Sequence, residues 1–361
     1  MRCSRCLMPS TVPNSEFNEA NECIWCQTGF PWYLPKGTEK LKELLESNRN
    51  KSGLIDCLVA ISGGKDSSYM LMELKQTFGM RVEAFTYLHD GLTPFALENA
   101  KRVCKKLDIE HHTVSLPKGT HAELFRTFFA TWIKSQSTTS AAMTCVACKY
   151  MHILGTKLAV KRGIPIVTWA VFPLETPPII PIGIHEGDPF RRPSLIKGAS
   201  LLFREMTRSF DLTKGIMKNL STCFQGCLAF DPSSEYLKFR YPSVKQIFFF
   251  DYYDWDPNHI IDKLKSKADW EPPKDVADDW HTDCVYHIIK EYMFQKMFNV
   301  AYIDGFLSNQ VRYGILTRAE ALNKLIKCKE ELAVKIHKTI DFAGLGEFEK
   351  YIDPTCFEIE D

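Results

Sequence analysis

From about residue 54, short apolar blocks alternate with amphipathic stretches. Cys57 to Ile61 is a continuous apolar run, which reads as a strand buried on both faces. It breaks into Ser62-Gly63-Gly64-Lys65-Asp66-Ser67 and passes into helix-forming residues that stop at Gly79. Tyr69, Met70 and Leu74 fall on the predicted buried face of that helix. "RVEAFTYLHD" predicts a second strand and "IEHHTVSL" a third, with a helix between them capped by Thr93 and opened by Pro94. "GIPIVTWAVF" predicts a fourth strand and "VKQIFFFDYY" a last one. Strands alternating with helices predict an α/β fold, a parallel sheet with helices on both faces. Ligands of such sheets bind beyond the carboxyl ends of the strands.

The flanks read differently. Residues 1 to about 30 carry four cysteines and little periodicity. A charged helix follows, with Leu41, Leu44 and Leu45 as its apolar stripe. The stretch "FPLETPPIIPIGIHEGDPFRRP" has six prolines and is expected to be a long loop near the site. From about residue 256 the pattern is helical, and Thr317 with Glu320 forms a capping box. These changes divide the chain into a Cys₄ module over 1–35, an α/β domain over 52–255 and a helical C-terminal region over 256–361.

Composition narrows the function classes. Apolar content of 45% with 25% charged residues describes an ordinary globular chain. A net charge of +1 excludes nucleic-acid binding by bulk charge. "MRCSRCLMPS" has no apolar core of a secretory signal, and no run approaches the roughly 18 apolar residues of a membrane span. A cytoplasmic protein without membrane insertion is expected. Thirteen cysteines, eight of them in close pairs, favour metal or redox chemistry over a disulfide scaffold.

The Ser-Gly-Gly turn between strand and helix is a cradle for anions. Free N–H groups and the helix dipole point at whatever sits there. It lacks the G-x-x-x-x-G-K-[ST] of a Walker loop. It resembles the PP-loop of ATP pyrophosphatases, S-G-G-x-D-S. That resemblance implies a HUP-like α/β domain and cleavage of ATP to AMP and pyrophosphate. Gly63 and Gly64 would let the backbone approach the phosphates. Ser62 and Ser67 would donate hydroxyl hydrogen bonds, and Lys65 would offset charge. Asp66 is a candidate Mg²⁺ ligand or helix cap, and Asp90 ends the second strand on the same rim.

Cys3-x-x-Cys6 and Cys23-x-x-Cys26 have zinc-ribbon spacing, and four thiolates make a closed structural Zn²⁺ site. Cys145-x-x-Cys148 precedes a helix. With Cys223 or Cys227 as a third ligand it is a candidate for a [4Fe–4S] cluster with one open iron, and with both for a second zinc. Cys57, Cys104, Cys284, Cys328 and Cys356 are expected to be core or incidental residues.

The order "CSRCLMPSTVPN", "VAISGGKDSSYML", "TCVACKY", "GIPIVTWAVFP" resembles the N-acetyl sugar amidotransferase family. The likeness extends to "YYDWDP" and "FLSNQVRYGILTRAEAL". It implies adenylation of an acetamido oxygen on a sugar and displacement of AMP by ammonia, giving an acetamidino group in surface-polysaccharide or nonulosonic-acid pathways. It also implies separate glutaminase- and cyclase-like partners that supply the ammonia. The second residue is Arg2 rather than the cysteine of an N-terminal nucleophile, and there is no G-x-C-x-G elbow, so neither route to its own ammonia is present. Where the family reads W-G-E-N, this chain reads Trp169-Ala170-Val171-Phe172, which leaves Glu175 as the candidate substitute. A competing resemblance is to PP-loop sulfurtransferases that thiolate tRNA bases, with Cys145, Cys148 and a third cysteine holding a cluster or carrying sulfur.

Overall fold

The computed structural model describes residues 1–12, 15–28, 34–175, 195–274 and 276–358. Five parallel strands form one sheet in the order β3-β2-β1-β4-β5. They are β1 (Cys57–Ala60), β2 (Val82–Leu88), β3 (His111–Ser115), β4 (Ile166–Trp169) and β5 (Lys245–Phe248). β1 is central, with Cys57 paired to Val82 on one side and to Ile166 on the other. The predicted parallel α/β sheet is therefore present. The predicted last strand is shorter than its apolar run, because Phe249–Asp251 turns into a 3₁₀ helix.

Helices cover both faces. After α1 (Ile24–Gln27) and α2 (Thr38–Ser47) come α3 (Lys65–Gln76) and α4 (Pro94–Lys106). Residues of α3 and α4 pack on Cys57, Val59 and Ala84. Then follow α5 (Thr120–Ser135), α6 (Thr138–Met143), α7 (Val146–Lys149) and α8 (Met151–Arg162). Ala159 of α8 shares a cluster with Leu58, Phe85 and Val167 on the opposite face. Successive residues of β1 thus feed opposite cores, as the pleat requires. Thr93 accepts from the Ala96 N–H and Pro94 opens α4, as its sequence predicts.

Four helices between β4 and β5 have no counterpart in the sequence reading: α9 (Leu195–Arg208), α10 (Phe210–Lys218), α11 (Leu220–Leu228) and α12 (Glu235–Arg240). Most of the proline-rich stretch, residues 176–193, lies outside the described residues. The C-terminal region carries the helices α13 (Pro257–Lys267), α14 (Val285–Phe298), α15 (Tyr302–Tyr313) and α16 (Arg318–Phe342). The Thr317–Glu320 capping box is formed. Among the described residues no helix is long and apolar enough to cross a membrane.

The amino end of β1 is fastened by Asp56, whose side chain is fully buried. Arg81 donates to it at 2.5 and 2.9 Å, the Arg81 and Asn50 backbone N–H groups at 3.0 Å, and Arg49 at 3.3 Å. Burial alone would raise its pKa, but these donors outweigh burial and hold it below the usual carboxylate value. A depressed folded pKa contributes stability above the unfolded value of about 3.9, and that stability is lost as pH falls through the folded value. Asp56→Asn is expected to cost about 3–5 kcal/mol near neutrality. It should also flatten the acid limb of the stability curve, measured by urea melts from neutral pH downward.

Candidate functional site

The loop after β1 is shaped by what surrounds it. Gly63 has φ +90°, and a Cβ there would stand 1.9 Å from the Ala96 carbonyl oxygen. Only glycine fits that backbone and that gap. The Gly63 carbonyl accepts from Asn99 Nδ2 at 3.1 Å and from Trp270 Nε1 at 3.0 Å. The Ser67 hydroxyl accepts from the Ser62 N–H at 3.1 Å and donates to the Gly64 carbonyl at 3.2 Å. α3 begins at Lys65 with Gly64 as its cap, so Asp66 lies inside the first turn and is not the cap. The first N–H groups of α3 open onto the space above the sheet.

Lys65 is buried at that helix start. Its ammonium meets Asp279 Oδ1 at 2.9 Å and Asp66 Oδ2 at 3.5 Å. Burial opposes its charge, but Asp66, Asp279 and Asp278 outweigh burial and keep it charged. Asp66 Oδ1 accepts from Trp255 Nε1 at 2.8 Å, and burial raises the Asp66 pKa. Glu175 comes from the turn after β4. Burial first, and then the charge of Asp66, push it up to about 8. The sheet order reverses between β1 and β4, and open α/β sheets bind their ligands in that crevice. Ser62 to Ser67 and Glu175 all sit there. Asp90 instead accepts from the Ala122 N–H at 3.1 Å, at the start of α5.

Asp279, Asp283, Trp255 and Trp280 were missed by sequence reasoning. Residues 271–274 and 276–284 form a strap across the cradle. Asn99 Nδ2 donates to the Glu271 carbonyl at 2.8 Å, the Thr93 N–H to the Asp283 carbonyl at 2.9 Å, and the Val285 N–H to the Gly91 carbonyl at 2.9 Å. The strap's sequence has neither helical nor strand period, yet is dense in Asp, Trp and His. That density is the signal which could have marked it.

The four N-terminal cysteines come together. Cys3, Cys6, Cys23 and Cys26 are buried, with all four sulfurs within 4.8 Å of one another. Cys3 and Cys26 stand 3.8 Å apart, and Cys6 and Cys23 3.7 Å. A tetrahedral ion holding four thiolates at about 2.3 Å places its sulfurs about 3.8 Å apart, so the set fits one such ion. Backbone N–H groups of Cys23 and Met8 donate to Cys3 and Cys6 sulfurs at 3.2 and 3.4 Å, and Arg312 donates to Cys6 at 3.0 Å. The neighbouring Cys23 and Cys26 sulfurs, with the Arg312 charge, draw the Cys6 pKa down to about 6.

Among the described residues, no three sulfurs of Cys145, Cys148, Cys223 and Cys227 lie within 4.8 Å of one another. Cys223 lies in an apolar cluster with Phe128, Val146 and Ile216, and Cys227 faces the Met143 sulfur at 3.9 Å. α11 packs against α7 so closely that a Cβ on Gly226 would come within 2.5 Å of the Val146 carbonyl. The contact is apolar, with Cys223 buried and Cys227 half-buried. Cys284, expected to be incidental, is the residue before α14. It is stitched to the loop after β2 by the Leu92–Cys284 bridge and caps α14. Burial raises its pKa, and it feels the charges of Asp283, Cys148 and Cys145. Lys290, on α14, is buried, and the charge of Cys145 helps to keep it protonated. Among the described residues these three sulfurs are not within 4.8 Å of one another, which does not suit a single ion. A cluster, with each thiolate on a different iron, takes wider spacing.

No family model matches the chain. An uncharacterized protein of Methanocaldococcus jannaschii is 28% identical over 113 residues, 30% of this chain. The match spans 41% of that relative's length. NMN synthetase from Francisella tularensis overlays with a TM-score of 0.37 at 12% identity, over 88% of this chain and 95% of that one. U34-tRNA thiolase NcsA from Methanococcus maripaludis, with its [4Fe-4S] cluster, overlays with a TM-score of 0.34 at 13% identity, over 90% and 87%. Both overlays are loose, and the chemistry of the site rests on this chain's own residues.

Elemental analysis of purified protein is expected to find one tightly bound divalent ion per chain, lost in Cys6→Ser. Chelation should lower the melting temperature, because the thiolate site replaces a core that so short a segment cannot build. Paired disulfides in its place would contradict this.

Proposed function

We propose that this chain is a cytoplasmic PP-loop ATP pyrophosphatase that adenylates the acetamido oxygen of a sugar and replaces it with ammonia-derived nitrogen. The observation that carries this reading is the buried, charged Lys65 on the glycine loop after β1, with Glu175 facing it from the β4 turn. In the proposed reaction the amide oxygen attacks the α-phosphorus, and the bond to pyrophosphate breaks. Ammonia then adds to the activated carbon, AMP departs with the former amide oxygen, and one proton is released. The product is an acetamidino group, in surface-polysaccharide or nonulosonic-acid biosynthesis.

The residues divide that work. The Gly63 and Gly64 backbone, with the Ser62 and Ser67 hydroxyls, would seat the pyrophosphate. Lys65 would exchange Asp279 for phosphate oxygens. Asp66 and Asp279 would then be free to hold Mg²⁺, which supplies charge neutralisation when bound. Glu175, with a pKa lifted toward neutrality, would take the proton from the incoming nitrogen. Zn²⁺ is the ion proposed for Cys3, Cys6, Cys23 and Cys26. Ammonia would come from separate glutaminase- and cyclase-like subunits.

A second reading replaces ammonia with sulfide and thiolates a tRNA base or a small amide. The approach of Cys284 to Cys145 and Cys148 favours it. Anaerobic reconstitution with iron and sulfide tests it: iron retained by the wild type and lost in Cys284→Ala supports this reading. No retained iron removes it.

Products of ATP cleavage test the shared step. AMP and pyrophosphate are expected, and ADP with phosphate would defeat the proposal. Lys65→Ala should lose turnover by roughly 10²-fold or more, the scale of a lost preorganised charge stabiliser. Mass spectrometry of acetamido sugars incubated with ATP and ammonium, or with sulfide, separates exchange of oxygen for NH from exchange for sulfur.

A further inference from the structure

The N-terminal thiolates and the nucleotide pocket are separate sites, yet a continuous chain of hydrogen bonds joins them. Cys6 Sγ accepts from Arg312 Nη1 at 3.0 Å. The other arm of that guanidinium, Nη2, donates to Asn309 Oδ1 at 2.5 Å. Asn309 Nδ2 donates to the Leu174 carbonyl at 2.8 Å. Leu174 is fully buried and directly precedes Glu175. The orientation of the Asn309 amide is fixed by its partners. A guanidinium only donates and a carbonyl only accepts, so oxygen must face Arg312 and nitrogen must face Leu174. Asn309 itself is fully buried, and losing either partner would strand a polar group in the core.

The far end of the chain is a short, clamped turn. The Glu175 N–H donates to the Phe172 carbonyl at 3.1 Å, closing the 3₁₀ turn of Pro173–Glu175. Phe172 stacks on Trp255 at 4.5 Å, and Trp255 holds Asp66. Glu175 is therefore fixed on one side through Trp255 and on the other through Asn309. The near end is equally anchored. Arg318 Nε donates to the Cys3 and Cys6 carbonyls at 3.1 and 3.0 Å, and Arg2 pairs with the buried Asp304 at 2.6 Å.

We propose that Arg312 and Asn309 are positioning residues through which the N-terminal thiolate site holds Glu175 in the nucleotide pocket. With an ion bound, Cys6 is a thiolate, and its hydrogen bond to Arg312 is charge-assisted. Arg312 is then held against Asn309, and Asn309 against the Leu174 carbonyl. Without the ion, the cysteines rearrange and the first link slackens. The module is in this sense a structural brace for a catalytic turn as well as a fold element. The inference needs Glu175 to belong to the pocket and is indifferent to which nucleophile attacks.

The test reads Glu175 without turnover. Trp280 lies beside Glu175, so the pH dependence of tryptophan fluorescence, taken as the difference between wild type and Glu175→Gln, reports its ionisation. The groups facing Glu175 are Lys65 and Asp66 from α3 and Asp283 and Trp280 from the strap, and all are common to both proteins. In metal-loaded wild type the midpoint should lie near 8. Removal of the ion with a chelator should move it toward the ordinary carboxylate range, and Arg312→Met should do the same with the ion still bound. Chelating Arg312→Met should then add nothing, while Arg312→Lys should restore part of the wild-type midpoint. Asn309→Leu, checked for folding by thermal melt, gives a second route to the same shift. Midpoints unmoved by chelation, or shifts from chelation and Arg312→Met that simply add, would overturn the inference. If AMP formation fails but the coupled midpoint shift holds, the proposed reaction falls and the brace stands.

Discussion

The carboxyl edge of the sheet is organised around one buried ammonium. Lys65 is buried and stays charged because the half-buried carboxylates of Asp66 and Asp279 face it. Everything nearby serves that balance. Gly63 folds the loop so that α3 starts at Lys65. Trp255 turns Asp66 toward the ammonium, and Trp270 and Asn99 hold the loop from behind. The C-terminal helices reach the site because the strap that supplies Asp279 leads directly into α14.

Much of this was legible in the chain, for definite reasons. The apolar run at Cys57–Ile61 and the alternation after it mark a central parallel strand, since only burial on both faces tolerates such a run. The cysteine spacing of the first 26 residues foretells a closed four-thiol site, because each C-x-x-C places two sulfurs on one side of a tight turn. Pro94 after Thr93 and Glu320 after Thr317 mark helix starts through local hydrogen bonding alone.

What escaped the sequence depends on long-range partners. Asp279 and Lys65 are 214 residues apart, and no local pattern announces their contact. Cys284 looked incidental because its companions, Cys145 and Cys148, lie far upstream. Cys223 and Cys227 lie on α11, at its apolar contact with α7, a contact between segments about 75 residues apart that their spacing alone does not announce. The helices between β4 and β5 follow a proline-rich stretch whose breaker residues suggested irregular structure well beyond their own positions.

The strap carries a thermodynamic obligation. Any anion that takes Lys65 from Asp279 must also disturb a segment whose other end is Asp283 and Cys284, tied to Thr93 and Gly91. Occupancy of the cradle and the environment of the thiol rim are then linked variables. Linkage is reciprocal, so whatever favours one arrangement of Cys284 shifts the affinity for phosphate by the same factor. A reagent that reacts with that thiol is at the same time an effector of the Lys65 cradle.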